Sequence, residues 1–205
     1  AGERLRLSTA DSMNVPRPDQ YPVAVIPATT RSLAPLDDSR LKAFLRHLCA
    51  LVEEARSSLE PTQRSSHEPD SESEADTSDR AEALRAVFGH ACGLCRGRCC
   101  HGGKNHAYLT VQTIQRVLTE NPRITLDRIM VRYLTRIAEE TVEDSCVFHQ
   151  AGGCALPRSL RSDTCNRFYC EALVENRAVQ STLDSPRAFF VASSDEDVVT
   201  AAFVD

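Results

Sequence analysis

The distribution of cysteine is the feature that most constrains this 205-residue chain. Of nine cysteines, eight fall in two short segments that also carry glycine and arginine. The first cysteine segment, residues 92–101, has the spacing C-x2-C-x3-CC, and the second, residues 146–170, has the spacing C-x7-C-x10-C-x4-C. Because two thiols separated by two residues on a turn can face one ion, this pattern predicts metal ligands. They are Cys92, Cys95, Cys99, Cys100, Cys146, Cys154, Cys165 and Cys170.

The arginines of the two cysteine segments favour the same interpretation. Together the segments carry five arginines and one aspartate, a formal charge of +4. Eight thiolates add −8, so two divalent ions or two cluster cores of charge +2 would bring the sum to zero. Two other interpretations stay open, because buried cysteines can act as small apolar side chains and exported proteins use them in disulfides. The first thirty residues lack the apolar run of a signal peptide, so we expect a cytoplasmic protein with reduced thiols.

The identity of the metal stays open at this point. Sulfur ligands favour an iron–sulfur cluster or Zn²⁺ over Mg²⁺ or Ca²⁺, and the spacing matches neither a zinc ribbon nor a bacterial ferredoxin. The eight thiols suit two four-sulfur sites or one polynuclear site. His101, His106 and His149 lie near enough in sequence to replace a cysteine. The ninth cysteine, Cys49, lies on the apolar side of a predicted helix, so we predict that it fills the core.

The remainder of the chain predicts three regions. Residues 1–59 are expected to form an extended, proline-containing arm that builds no core of its own, and then an amphipathic helix over 39–59. Residues 60–80 hold seven acidic residues and two arginines, with almost no apolar side chain, which predicts an acidic disordered linker. Residues 81–205 are the predicted cysteine-cluster metal-binding domain.

Within 81–205, apolar periodicity and capping residues predict four helices separated by the cysteine-rich loops. Two β-prone runs at 188–193 and 198–204 predict a terminal hairpin. The expected fold class is therefore mainly α, with loop-rich cysteine segments and a small C-terminal β-hairpin. The four predicted helices cover residues 81–90, 110–120, 125–141 and 164–176.

Charge and motifs exclude several classes of function. The net charge is −5 and its acidity is concentrated in 60–80, which argues against a basic nucleic-acid surface. No apolar run has the length of a membrane helix. The sequence contains no P-loop, dinucleotide fingerprint, serine-hydrolase elbow or zinc-protease motif. These observations favour a metal-binding module whose metal organises a loop-rich body and presents a surface to a protein partner.

The cysteine pattern also resembles a known family. The first segment, followed by Cys146-Val147-Phe148, Gly153-Cys154, Arg161-x3-Cys165 and Phe168-Tyr169-Cys170, is similar to small bacterial cysteine-cluster proteins of the zinc- or iron-chelating domain family. That family includes the flagellin lysine-N-methylase group. The resemblance covers about residues 90–171 and implies metal binding by the eight cysteines. It also implies an alternative function, a cluster-dependent redox or methyl-transfer enzyme, and metal storage or delivery is a further alternative.

Overall fold

The computed structural model describes residues 2–58, 79–195 and 197–205. Within these ranges the α-helices are α1 (Gly2–Met13), α2 (Asp38–Ser57), α3 (Asp79–Cys95), α4 (Val111–Glu120), α5 (Leu126–Leu134), α6 (Asp163–Arg167) and α7 (Glu171–Gln180). The strands are β1 (Val23–Pro27), β2 (Leu33–Pro35), β3 (Glu140–Val142), β4 (His149–Gln150), β5 (Gly153–Cys154), β6 (Ala188–Ser194) and β7 (Asp197–Val204). The predicted class, mainly α with some β, is confirmed.

The chain divides into two compact units, each built from separate stretches of sequence. The described residues of unit 1 are 2–30, 79–98, 169–195 and 197–205, and those of unit 2 are 31–58 and 99–168. Both units therefore contain residues from either side of the predicted linker. That linker, residues 60–80, lies outside the described residues except for Asp79 and Arg80, which begin α3.

Unit 1 is a three-stranded sheet with helices on its two faces. The strand order is β1-β6-β7, with β1 parallel to β6 and β6 antiparallel to β7. Because side chains alternate along a strand, β6 divides its apolar residues between the two faces. Phe190 packs in a cluster with Phe88 of α3 and Leu173 of α7, whereas Phe189 packs in another with Ala10 of α1.

Unit 2 has a helical core. Helix α2 packs against α4 and α5, and the centre of this core is filled by buried aromatic and aliphatic side chains. Side-chain caps fix where the helices begin: Asp37 accepts a hydrogen bond from the Ser39 amide, and Thr110 and Thr125 cap α4 and α5. The fully buried side chains include Phe44, Leu48, Ile114, Ile129, Tyr133 and Phe148.

Several predicted elements are confirmed and others need correction. The helices predicted over 39–59 and 110–120 are α2 and α4, and the terminal hairpin is formed by β6 and β7. The helix predicted over 125–141 ends at Leu134, because residues 140–142 pair as β3 with β2. The helix predicted over 164–176 is two helices, α6 and α7, with extended backbone at Phe168.

Two further predictions are wrong at the N-terminus and in the first cysteine segment. Residues 2–13 form α1 instead of an extended arm; its sequence has no apolar stripe, but Ala10 is buried against the sheet of unit 1. The predicted loop over 91–103 is helical as far as Cys95, since α3 continues past Ala91, which is buried with Val87 and Phe88. Cys92 and Cys95 are therefore helical residues.

Candidate functional site

Five of the eight predicted ligands belong to unit 2, where they come from four short pieces of backbone. Cys99 and Cys100 lie on a 3-10 helix, Arg98–Gly103, and Cys146 lies in the turn that follows β3. Cys154 ends β5, and Cys165 lies on α6, where its amide donates to the side chain of Ser162. Cys146 is buried, Cys100, Cys154 and Cys165 are half-buried, and Cys99 is exposed.

Backbone hydrogen bonds hold the 3-10 helix against the turn at Cys146. The Cys146 amide donates to the Cys100 carbonyl at 3.1 Å, and the Val147 amide donates to the Lys104 carbonyl at 3.0 Å. The approach is close, because a Cβ on Gly103 would lie 2.9 Å from the Cβ of Cys146 and 3.2 Å from its Sγ. Glycine at position 103 is therefore what allows the two cysteine segments to meet in unit 2.

Cys154 is positioned by the short hairpin of β4 and β5, and Cys165 is positioned by α6. The strands β4 and β5 pair antiparallel, so that Cys154 lies opposite His149, and the Ala155 amide donates to the Phe148 carbonyl at 2.8 Å. The guanidinium of Arg161 is held by two carbonyls of the same loop, since its Nε donates to Leu156 at 2.8 Å and its second amino group to Cys154.

Negative charge on neighbouring thiols of unit 2 raises the pKa values of Cys100, Cys146 and Cys165. The thiols of Cys99 and Cys100 share a hydrogen bond, which lowers the pKa of Cys99 to about 7 and raises that of Cys100. Burial raises the pKa of Cys146 to about 12, and the negative charges of Cys154 and Cys165 act in the same direction. Burial raises the pKa of Cys165 as well, and the positive charge of Arg161 offsets part of that rise. The thiols of this group are therefore close enough for their charges to interact.

Two histidines and a tyrosine border this group. The rings of His101 and His149 are 6.0 Å apart, and the Nδ1 of the fully buried His149 lies 2.7 Å from the hydroxyl of Ser145. Burial raises the pKa of Tyr108, and the charges of neighbouring cysteines raise it further. His106 accepts a hydrogen bond from the Tyr108 amide, and burial lowers the pKa of its imidazole.

The other three predicted ligands, Cys92, Cys95 and Cys170, belong to unit 1. Cys92 is exposed in the last turn of α3, whereas Cys95 and Cys170 are half-buried against the cluster that contains Phe88. The Sγ of Cys95 accepts a hydrogen bond from the Arg98 amide at 3.3 Å. Cys170 is the residue before α7 and makes no side-chain capping bond.

Cys49 is not the core residue that the sequence predicts. It is exposed on α2, because the buried stripe of that helix follows Phe44, Leu48 and Val52, and Cys49 lies at its edge beside the half-buried Leu45. Sequence reasoning also missed Ser145 and Tyr108. Ser145 directly precedes Cys146 but stands in no motif, and only the fold brings Tyr108 to the thiols.

No protein-family model, curated protein or solved structure matches this chain. Among the residues that the structure describes, no group of three or more His, Cys, Asp or Glu side chains is arranged so that it could hold a metal ion. The described helices also include none that is long and apolar enough to span a membrane. The five cysteine sulfurs of unit 2 are soft donor atoms.

Proposed function

We propose that this protein binds an iron–sulfur cluster or Zn²⁺ through its cysteines, and that the metal has a structural role. The observation that carries the proposal is the group of five thiols in unit 2, drawn from residues 99–100, 146, 154 and 165 of the chain. Cys146 belongs to the hydrophobic core of unit 2, and Cys100 and Cys154 pack against that core, so the competing interpretation is that these thiols fill space.

The donor set fits a soft metal ion. Thiolate sulfur selects zinc and iron–sulfur clusters, and structural zinc uses four ligands, so five thiols are enough for one complete site. The guanidinium of Arg161 acts on Cys99 and Cys165, and that of Arg40 acts on Cys146. Two guanidinium groups do not balance four or five thiolates, and a bound metal ion would supply the missing positive charge.

Cys92, Cys95 and Cys170 of unit 1 are proposed ligands as well. The amide of Arg98 donates to the Sγ of Cys95. Amide hydrogen bonds of this kind stabilise the charge on ligand sulfurs and tune clusters. We therefore propose all eight cysteines as metal ligands. A reducing cytoplasm is the compartment that would keep them available as thiols.

A structural role follows from where the thiols lie. The residues between Cys146 and Cys165 contain two two-residue strands and short helical turns, which have few regular hydrogen bonds to order them. Metal binding to such a segment contributes directly to its folding free energy. We infer that the ordered segment then presents a surface to a protein partner.

Anaerobic purification followed by metal analysis and absorption spectroscopy tests the proposal. We expect at least one metal ion per chain, with an absorption band near about 400 nm if iron–sulfur is present and no visible colour if zinc is present. Cys100→Ser and Cys154→Ser should each lower the metal content, because serine replaces a soft thiolate by a hard, protonated hydroxyl.

Cys49→Ser is the matched control, since Cys49 is an exposed cysteine of the same unit. It should leave the metal content unchanged. Full metal content in both Cys100→Ser and Cys154→Ser, or no metal in the anaerobically purified chain, would show that these thiols are not ligands.

A further inference from the structure

A cleft in unit 2 lies where α4 ends and α5 begins, and it contains none of the proposed metal ligands. Its volume is about 540 Å³. Three arginines line it together with apolar side chains of the turn and of α5. Its lining includes Arg123, Arg128, Arg132, Ile124 and Val131.

The three arginines of the cleft are exposed and carry unbalanced charge. Within the part of the chain that the structure describes, the guanidinium groups of Arg123, Arg128 and Arg132 form no hydrogen bond or ion pair. The nearest carboxylates in sequence have other partners: Glu120 pairs with Arg116 at 3.1 Å, and Asp127 lies 3.9 Å from Arg56. The cleft therefore has a positive lining without an internal counter-ion.

The positions of two of these arginines oppose the stability of α5. Arg128 and Arg132 are four residues apart on one helix, a spacing at which like charges repel. Arg128 also lies in the first turn, where the helix dipole disfavours a cation. A bound anion would remove both unfavourable interactions at once. Anion binding would therefore stabilise the folded helix α5.

The shape and composition of the cleft define the class of ligand. Guanidinium groups bind phosphate oxygens in a planar, two-pronged geometry, and a concave site of several hundred Å³ suits a small organic molecule. Val131 is half-exposed and, with Ile124, forms an apolar wall beside the charged groups. We propose that this cleft binds a small organic phosphate of mononucleotide size, with its phosphate on Arg128 and Arg132 and its apolar part against Val131 and Ile124.

Isothermal titration calorimetry of the full chain at low salt tests the proposal with AMP, adenosine and inorganic phosphate as probes. AMP should bind with a Kd below about 1 mM, and more tightly than either adenosine or inorganic phosphate, because each of these has only one of the two recognised parts. Arg128→Gln and Arg132→Gln should each weaken AMP binding at least about tenfold. Val131→Ser should weaken AMP binding while leaving inorganic phosphate unaffected.

Arg46→Gln is the matched control, because Arg46 is an exposed arginine of unit 2 that does not line the cleft. Circular dichroism verifies that each variant is folded. We expect folded variants because the substituted side chains are exposed. The proposal is overturned if AMP does not bind, if Arg46→Gln weakens AMP as much as Arg128→Gln does, or if adenosine binds as tightly as AMP. Binding of heparin without binding of AMP would overturn it too, since it would assign the arginines to a macromolecular polyanion.

Discussion

The cysteines of the two units differ in the backbone that carries them. In unit 1, Cys92 and Cys95 lie at the end of a 17-residue helix and Cys170 precedes a ten-residue helix, beside a regular sheet. In unit 2 the five proposed ligands lie on a 3-10 helix, a turn, a two-residue strand and a five-residue helix. Helices and sheets bring their own hydrogen bonds and apolar faces, whereas turns depend on whatever cross-links them. Metal binding should therefore matter more to the folding of unit 2.

Removal of the metal should produce the largest difference between the units. Chelation at neutral pH should accelerate hydrogen exchange of the Cys146 and Val147 amides by about a hundredfold, because their bonds join two turns that the proposed metal would hold together. Exchange in β6 and β7 should change little. Mass spectrometry or NMR before and after chelation measures both regions in one sample.

Equal acceleration in both units would contradict this contrast and assign the metal a global role. Unchanged exchange at Cys146 and Val147 would instead show that the helical core of unit 2 orders these turns alone.

One glycine substitution in each unit tests the packing inside that unit. The two substitutions should change the free energy of unfolding in opposite directions. Gly103→Ala should lower the free energy of unfolding by about 1–3 kcal/mol, since the new Cβ would lie 2.9 Å from the Cβ of Cys146. Gly89→Ala in α3 should raise it by about 0.5–1 kcal/mol, because alanine favours helix and no atom lies within 4 Å of the new Cβ. Urea denaturation of both variants measures the difference.

A stable Gly103→Ala variant would mean that the two cysteine segments do not approach as closely as the structure has them. A destabilised Gly89→Ala variant would point to an unrecognised neighbour of α3 in unit 1.

Two tyrosine hydroxyls provide a smaller test of the same comparison. The Tyr133 hydroxyl of unit 2 is buried and donates to the Leu160 carbonyl at 2.8 Å, and burial raises its pKa. Tyr133→Phe leaves that carbonyl without a partner and should cost about 1–2 kcal/mol. Tyr21 of unit 1 makes an exposed bond of 2.7 Å to Asp205, so Tyr21→Phe should change stability by less than about 0.5 kcal/mol.

Thermal unfolding of the two variants and of the parent chain decides this point. A loss at Tyr21→Phe as large as that at Tyr133→Phe would show that exposure does not weaken the bond to Asp205.

The parts of the fold that sequence predicted are those with strong local signals. Thr110 before an apolar stripe located α4, and two β-prone runs located the hairpin of β6 and β7. The errors lie where tertiary contacts decide. Helix α1 has no stripe of its own and is stabilised by contact with the sheet, and the pairing of β1 with β6 joins residues far apart in sequence.

The candidate site was predictable in composition but not in arrangement. Spacing identified the eight cysteines, since clustered thiols are unusual in any core. It could not assign Cys95 and Cys170 to unit 1 and Cys99 and Cys165 to unit 2, because that division depends on which element each flanking stretch packs against. Cys49 shows the same limit, because a helical stripe fixes the centre of a buried face more precisely than its edges.

The smallest expected effect concerns how the helices begin. Helix α7 of unit 1 starts after Cys170 without a side-chain cap, whereas α2 of unit 2 is capped by Asp37, whose pKa is held below its usual value chiefly by the backbone N–H of Ser39. A carboxyl with a lowered pKa in the folded state stabilises that state above its unfolded pKa, and the contribution disappears as pH falls through the folded pKa.

Asp37→Asn retains a capping oxygen but cannot titrate. The parent chain should therefore lose its advantage over Asp37→Asn as the solution is acidified from neutral pH through the pKa of Asp37, a change that urea unfolding at a series of pH values would measure. Thr125→Asn in α5 is the control, because neither residue ionises and its effect should not vary with pH. If the difference between the parent chain and Asp37→Asn stayed constant over that range, the carboxyl would cap α2 by its shape alone, and the charge at this helix start would contribute nothing to unit 2.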